Sequence, residues 1–157
     1  MSEKRLLLLR HAAAEPFGSC DDFGRSLTDE GRRQAQLLAQ KLAGEDLQDA
    51  AIIASAALRV RQTLELAFAG NAVAVDFRDE LFRASESDWL DVLGRAAPGA
   101  SLVMLAGHNP VIGQLASQLA GQPIAFAPCD LVVLSVAGGF HPPGHRSARL
   151  IEHWQAR

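Results

Sequence analysis

Leu6-Leu7-Leu8-Leu9 is an unbroken apolar run that stops at a guanidinium and an imidazole, those of Arg10 and His11. Side chains alternate between the faces of a strand, so consecutive leucines demand a strand that is buried on both sides. Such strands belong to sheets covered by helices on both faces, and in these the ligand edge lies at the strand carboxyl ends. Two more segments repeat the arrangement. The apolar stretch 101–107 runs into His108-Asn109-Pro110, and 51–54 runs into Ser55 and then Arg59. Three strand ends would therefore bring two histidines and two arginines to one place, a composition suited to phosphoryl transfer.

At 157 residues, 48% hydrophobic and 21% charged, the chain fits one globular domain over 1–157. A net charge of −3 gives neither nucleic acid nor an anionic membrane a bulk electrostatic hold, so anion binding must rest on local basic residues. The apolar run before Arg10 is far too short for a membrane span or a signal-peptide core, and the expectation is a cytoplasmic protein. Cys20 and Cys129 have no CxxC spacing and are expected to be incidental thiols. Apolar periodicity predicts strands over 6–10, 51–54, 72–75, 102–106, 131–136 and 148–154. Helices are predicted from about Thr28 to Leu42 and over 58–69, 88–96 and 110–119. Thr28, Ser55 and Asn109 are the expected N-caps, with Pro110 in a first turn and Gly121 past a helix end. A hairpin is expected through Gly138-Gly139 to Gly144. The sum is an α/β three-layer sandwich with a mostly parallel, mixed central sheet of about six strands.

A neutral imidazole can attack phosphorus and hold the phosphoryl group as a phosphoramidate that water later cleaves, which makes His11 the candidate nucleophile. Nearby arginines raise the cost of its protonated form. Arg10 and Arg59 are candidates to clamp the non-bridging oxygens with forked, charge-assisted bonds and to stabilise the transition-state charge. Arg59 falls in the first turn of a helix, where a cation is electrostatically misplaced unless an anion binds there too. Arg61 is expected to face solvent. His108 is expected to donate to a phosphoryl oxygen, Asn109 to bind beside it, and Gly107 to leave room for a ligand at the backbone. His141 and His145 have i, i+4 spacing, but Pro142, Pro143 and Gly144 exclude the helix that a metal motif would need. Trp89 and Trp154 are expected to be packing residues.

Taken together, Leu-Leu-Leu-Arg10-His11-Ala12, Arg25-Ser26-Leu27-Thr28-Asp29-Glu30-Gly31 with Ala35, Ser55 to Thr63, and Gly107-His108-Asn109-Pro110 resemble the histidine phosphatase superfamily, the group that includes the phosphoglycerate mutases. Their order and spacing are most similar to its short SixA-type phosphohistidine phosphatase branch. Ala12 stands where the superfamily usually has glycine, and Ala56 where proline is common. The resemblance implies phosphorylation of His11, a pocket completed by Arg10, Arg59 and His108, and no metal or organic cofactor. Larger members take a proton donor from an inserted acidic segment that this chain is too short to carry; the nearest match is Glu80, beside Asp79. A phosphohistidine substrate eases that demand because its leaving nitrogen is readily protonated. The resemblance thus implies a phosphorylated protein of the histidine phosphotransfer type as partner. Two other readings stand beside it: the same chemistry on a small phosphate ester, and a non-catalytic phosphoprotein-binding module.

Overall fold

The computed structural model describes residues 3–16, 21–96, 99–140 and 148–157. Cys20, His141, His145 and the turn at Gly144 lie outside the described residues. In chain order the elements are β1 (Lys4–Arg10), α1 (Asp29–Leu42), β2 (Ala51–Ser55), α2 (Leu58–Ala67), β3 (Asp76–Arg78), a 3₁₀ turn (Asp79–Arg83), α3 (Glu86–Gly94), β4 (Leu102–Gly107), α4 (Val111–Ala120), β5 (Leu131–Val136) and β6 (Ala148–Trp154). They form one six-stranded sheet in the order β3-β2-β4-β1-β5-β6. The strands β3, β2, β4 and β1 are parallel, while β5 runs antiparallel to both β1 and β6. The expected architecture is present.

The leucine run divides its side chains between two cores. Leu6 and Leu8 pack with Val103, Leu105, Trp89, Ile112 and Leu115, on the face covered by α3 and α4. Leu7 and Leu9 pack with Met104, Leu38, Val60 and Leu64, on the face covered by α1 and α2. All four leucines are fully buried, and each contributes about 1.5–3 kcal/mol on moving from water to the interior.

Three local expectations change. The alternation of Val73, Val75 and Phe77 against the core is present. Only its far end reaches β2, however, so the third strand is 76–78 and not 72–75, with Asp76 to Arg78 in register with Ile53 to Ser55. The helix expected over 88–96 begins earlier, because Ser85 and Asp88 close a capping box: Asp88 N–H donates to Ser85 Oγ and Ser85 N–H to the Asp88 carboxylate. Neither Ser55 nor Asn109 is an N-cap. Ser55 ends β2 with Ala57 as the cap of α2, and the Asn109 side chain donates to the Phe126 carbonyl while Pro110 precedes α4. Thr28 caps α1 as expected, accepting from Gly31 N–H, and Gly121 ends α4 at φ 70°.

Candidate active site

Because β1, β2 and β4 are parallel neighbours, their carboxyl ends lie along one edge, and this edge carries Arg10, Ser55 and Gly107 with their successors. A cavity of about 370 Å³ opens there, lined by Arg10, His11, Ala13, Ala14, Asp22, Arg25, Arg59, His108, Asn109 and Pro128. His11 is 8% exposed, and its ring centroid stands 5.4 Å from that of His108. Its Nδ1 lies 2.7 Å from the Ala12 carbonyl, which can only accept, so Nδ1 carries the proton. Nε2 therefore keeps its lone pair and accepts from Arg59 Nε at 3.3 Å. Burial pushes this imidazole down to about 3; the Ala12 carbonyl raises it, while His108, Arg59 and Arg10 lower it further. The arginines act as expected, but loss of water is the larger cause. The result at neutral pH is an uncharged ring with a fixed tautomer and an available nitrogen.

Arg59, in the first turn of α2, is 4% exposed. Its Nη1 donates to the Asp22 carbonyl at 2.6 Å, its Nη2 lies 3.6 Å from the Asp22 carboxylate, and its guanidinium stands over the Phe82 ring. Arg25 Nε donates to the same carboxylate at 2.7 Å. Partial burial pushes the Asp22 carboxyl up, but the Arg25 hydrogen bond and the charges of Arg59 and Arg25 outweigh this and hold it below the usual range. Burial lowers the pKa of Arg10 and Arg59, each against a nearby carboxylate, Asp130 and Asp22 respectively. Guanidinium pKa values are high enough that both stay charged. His108 Nε2 is 2.8 Å from Ser55 Oγ, its Nδ1 is buried without a partner, and its ring meets Phe82 edge to face. Burial, with Arg59, Arg25 and Arg10 adding and Asp22 opposing, pushes it down to about 4.

A second tier of contacts fixes the backbone behind these groups. Phe126 carbonyl accepts from both Arg10 Nη1, at 2.8 Å, and Asn109 Nδ2, at 3.0 Å. Cys129 adopts φ 66° and donates its N–H to the carbonyls of Arg10 and His11. Its thiol is fully buried and pushed up to about 12 by burial and by Asp130, which leaves it inert. Asp130, 1% exposed, accepts from Ala127 N–H, His153 Nε2 and Gln155 Nε2. On the other flank Ala12 N–H donates to Thr63 Oγ1, Ala13 N–H to Gln34 Oε1 and Leu27 N–H to Gln62 Oε1.

The four residues expected to converge, Arg10, His11, Arg59 and His108, do line one cavity, and Asn109 lines it with them. Glu80 does not: it is an exposed residue of the 3₁₀ turn, and of the described residues lining the cavity Asp22 alone carries a carboxylate. Gly107 owes its identity to packing, since a Cβ there would stand 2.8 Å from the Trp89 ring. Arg61, expected in solvent, donates to the Ala56 carbonyl and lies over Phe77. Asp22 and Thr63 are the contributors that sequence reasoning missed. Asp22 sits in an aperiodic loop that carries no signal, whereas Thr63 lies one helical turn after Arg59 and could have been found.

Residues 6–89 match the family model of the histidine phosphatase superfamily, branch 1. An uncharacterized protein of Picosynechococcus sp. (strain ATCC 27264 / PCC 7002 / PR-6) is 36% identical over 120 residues, covering 73% of this chain and 72% of that one. Among solved structures, a candidate phosphohistidine phosphatase SixA from Nakamurella multipartitia is 27% identical, with a TM-score of 0.86 over 99% of this chain and 98% of its own. A second candidate SixA, from Agrobacterium tumefaciens, is also 27% identical, with a TM-score of 0.79 over 96% and 97%. A match across more than half the sequence, on a fold and a site that suit the chemistry, makes this chain a member of the histidine phosphatase superfamily, branch 1, and a phosphatase.

Proposed function

We propose that the chain hydrolyses protein phosphohistidine through a phosphoryl intermediate on His11. The observation that carries this reading is the His11 ring itself: uncharged, fixed with its proton on Nδ1, and presenting Nε2 at a cavity lined by three guanidiniums. In the first step the His11 Nε2–P bond forms as the substrate P–N bond breaks. A proton already held on the distal nitrogen of the substrate ring lets that ring leave as neutral imidazole. In the second step water attacks phosphorus, the P–Nε2 bond breaks, inorganic phosphate departs and the water proton passes to phosphate or solvent. Arg10 and Arg59 neutralise the equatorial oxygens in both steps. On binding, Arg59 would exchange its bond to Nε2 for phosphoryl oxygens, freeing the lone pair. His108 Nδ1, buried and unpaired, is an unmet polar group that a phosphoryl oxygen would satisfy.

An N-linked substrate suits a site whose expected acid, Glu80, is exposed and off the cavity, since a departing imidazole asks less of a general acid than an alkoxide does. Small phosphate esters are the second substrate class, and for them Glu80, beside Asp79, is the candidate donor, since Asp22 is held ionised by Arg25 and Arg59. Brief exposure to a ³²P-phosphohistidine protein should leave acid-labile, base-stable label on His11. His11→Ala should lose that label and about 10⁴-fold or more of turnover. Unchanged turnover in His11→Ala, or label on another residue, overturns the reading.

A further inference from the structure

The cavity holds one charged group that the phosphatase reading leaves idle. Among the described residues, its charged lining is three guanidiniums, Arg10, Arg25 and Arg59, against the single carboxylate of Asp22. Both histidines are uncharged, so a bound phosphoryl dianion cancels what remains. Behind Arg10, the buried carboxylate of Asp130 lies close enough to raise the Arg10 pKa and so shifts the local balance further toward the negative. Asp22 is also fixed where it matters. Arg25 Nε holds one of its oxygens at 2.7 Å, Arg59 Nη2 stands 3.6 Å from the other, and Arg59 Nη1 is bound to its carbonyl. With Arg10 and Arg59 engaged by the phosphoryl group and Arg25 held by Asp22 and the Glu15 carbonyl, a second anion on the substrate meets Asp22 and no cation of the lining that is not already engaged.

We propose that Asp22 is a specificity-determining residue that reserves the site for phosphoryl donors whose leaving group is uncharged or cationic, and excludes phosphate esters that carry a carboxylate. A protonated phosphoimidazole ring, the reactive form of phosphohistidine, is such a cation. A phosphorylated hydroxy acid is the opposite case. This inference rests on the phosphatase reading and narrows its substrate class. Like charges that face each other across a partly screened cavity cost roughly tenfold in binding.

The test compares glycerol 3-phosphate with 3-phosphoglycerate, which share a carbon skeleton and differ by the carboxylate. The protein should prefer glycerol 3-phosphate by about tenfold in kcat/KM. Asp22→Asn, which keeps an acceptor for Arg25, should shrink the preference to within about threefold by raising the rate on 3-phosphoglycerate. The unaltered protein gives a second reading that needs no variant: in about 1 M salt, where charges are screened beyond about 3 Å, the preference should contract. No preference at all, a preference that survives Asp22→Asn, or one indifferent to salt overturns the proposal. Failure of the phosphatase reading looks different, with no turnover of any substrate and no label on His11. In that event the same two compounds are compared by calorimetry as ligands, where equal affinity overturns the charge selection and weaker binding of the carboxylate upholds it.

Discussion

At the scale of single residues, the site works by keeping ionisable rings out of water. His11 has a folded-state pKa near 3 against an unfolded value near 6.5, so the unfolded chain takes up protons that the folded chain refuses. The stability this ring contributes is therefore full above pH 6.5 and drains away as pH falls toward 3, at up to about 1.4 kcal/mol per pH unit. Denaturant titrations at several acidic pH values should show this slope added to that of His108, which is likewise pushed down to about 4, and His11→Asn should lose only the His11 share. Nitrogen NMR of the free protein should find His11 as the Nδ1–H tautomer throughout the ordinary histidine range; an imidazolium spectrum at pH 6 would contradict the burial argument. Thr63 gives a second test. Thr63→Val removes the acceptor of the buried Ala12 N–H and should cost about 1–3 kcal/mol, measured by denaturant unfolding, with a fall in kcat as the nucleophile loosens.

At the scale of elements, two glycines set how closely the pieces approach. A Cβ on Gly31 would lie 2.0 Å from the Ala13 carbonyl, a backbone atom that cannot swing aside. One on Gly107 would meet the Trp89 ring at 2.8 Å. Gly107→Ala should cost about 1–3 kcal/mol by overpacking, and Gly31→Ala more, as read from urea midpoints. These elements were unequally legible in the sequence. β5 and β6 fall on their expected bounds, and β1 is extended only at its start, because long apolar runs and strict alternation are set by burial and survive any tertiary context. β3 departs from its expected bounds because an edge strand pairs on one side only, so backbone register and not hydrophobicity decides where it begins. The Ser85-x-x-Asp88 spacing is itself a helix-start signal in the sequence. Arg10, His11, Arg59 and His108 are legible as residues of one cavity because each ends or follows a recognisable strand or opens a helix. Asp22, in a loop of mixed polar residues, and Asp130, paired to His153 of β6, have no periodic frame to mark them.

At the scale of the whole molecule, the parallel strands present the reactive groups and the antiparallel pair supports them. Asp130, immediately before β5, receives His153 from β6 and Gln155 beyond it, and it shares a turn with the Phe126 carbonyl that holds Arg10 and Asn109. His153→Phe should therefore cost about 1–3 kcal/mol and also weaken inorganic phosphate binding several-fold, although His153 does not line the cavity. Phosphate affinity unchanged by calorimetry would confine the pair to a local role. The exit of the chain from His11 has a consequence of its own. Ala12 and Ala13 are counted as loop, yet their amides are tied to α2 and α1, and Gly31 leaves the Ala13 carbonyl no room to shift. In deuterium exchange these two amides should behave like the middle of the sheet and open only with the global transition. A catalytic cycle built on such a seat leaves the main chain at rest, and its motion is confined to the guanidiniums, the water and the departing group.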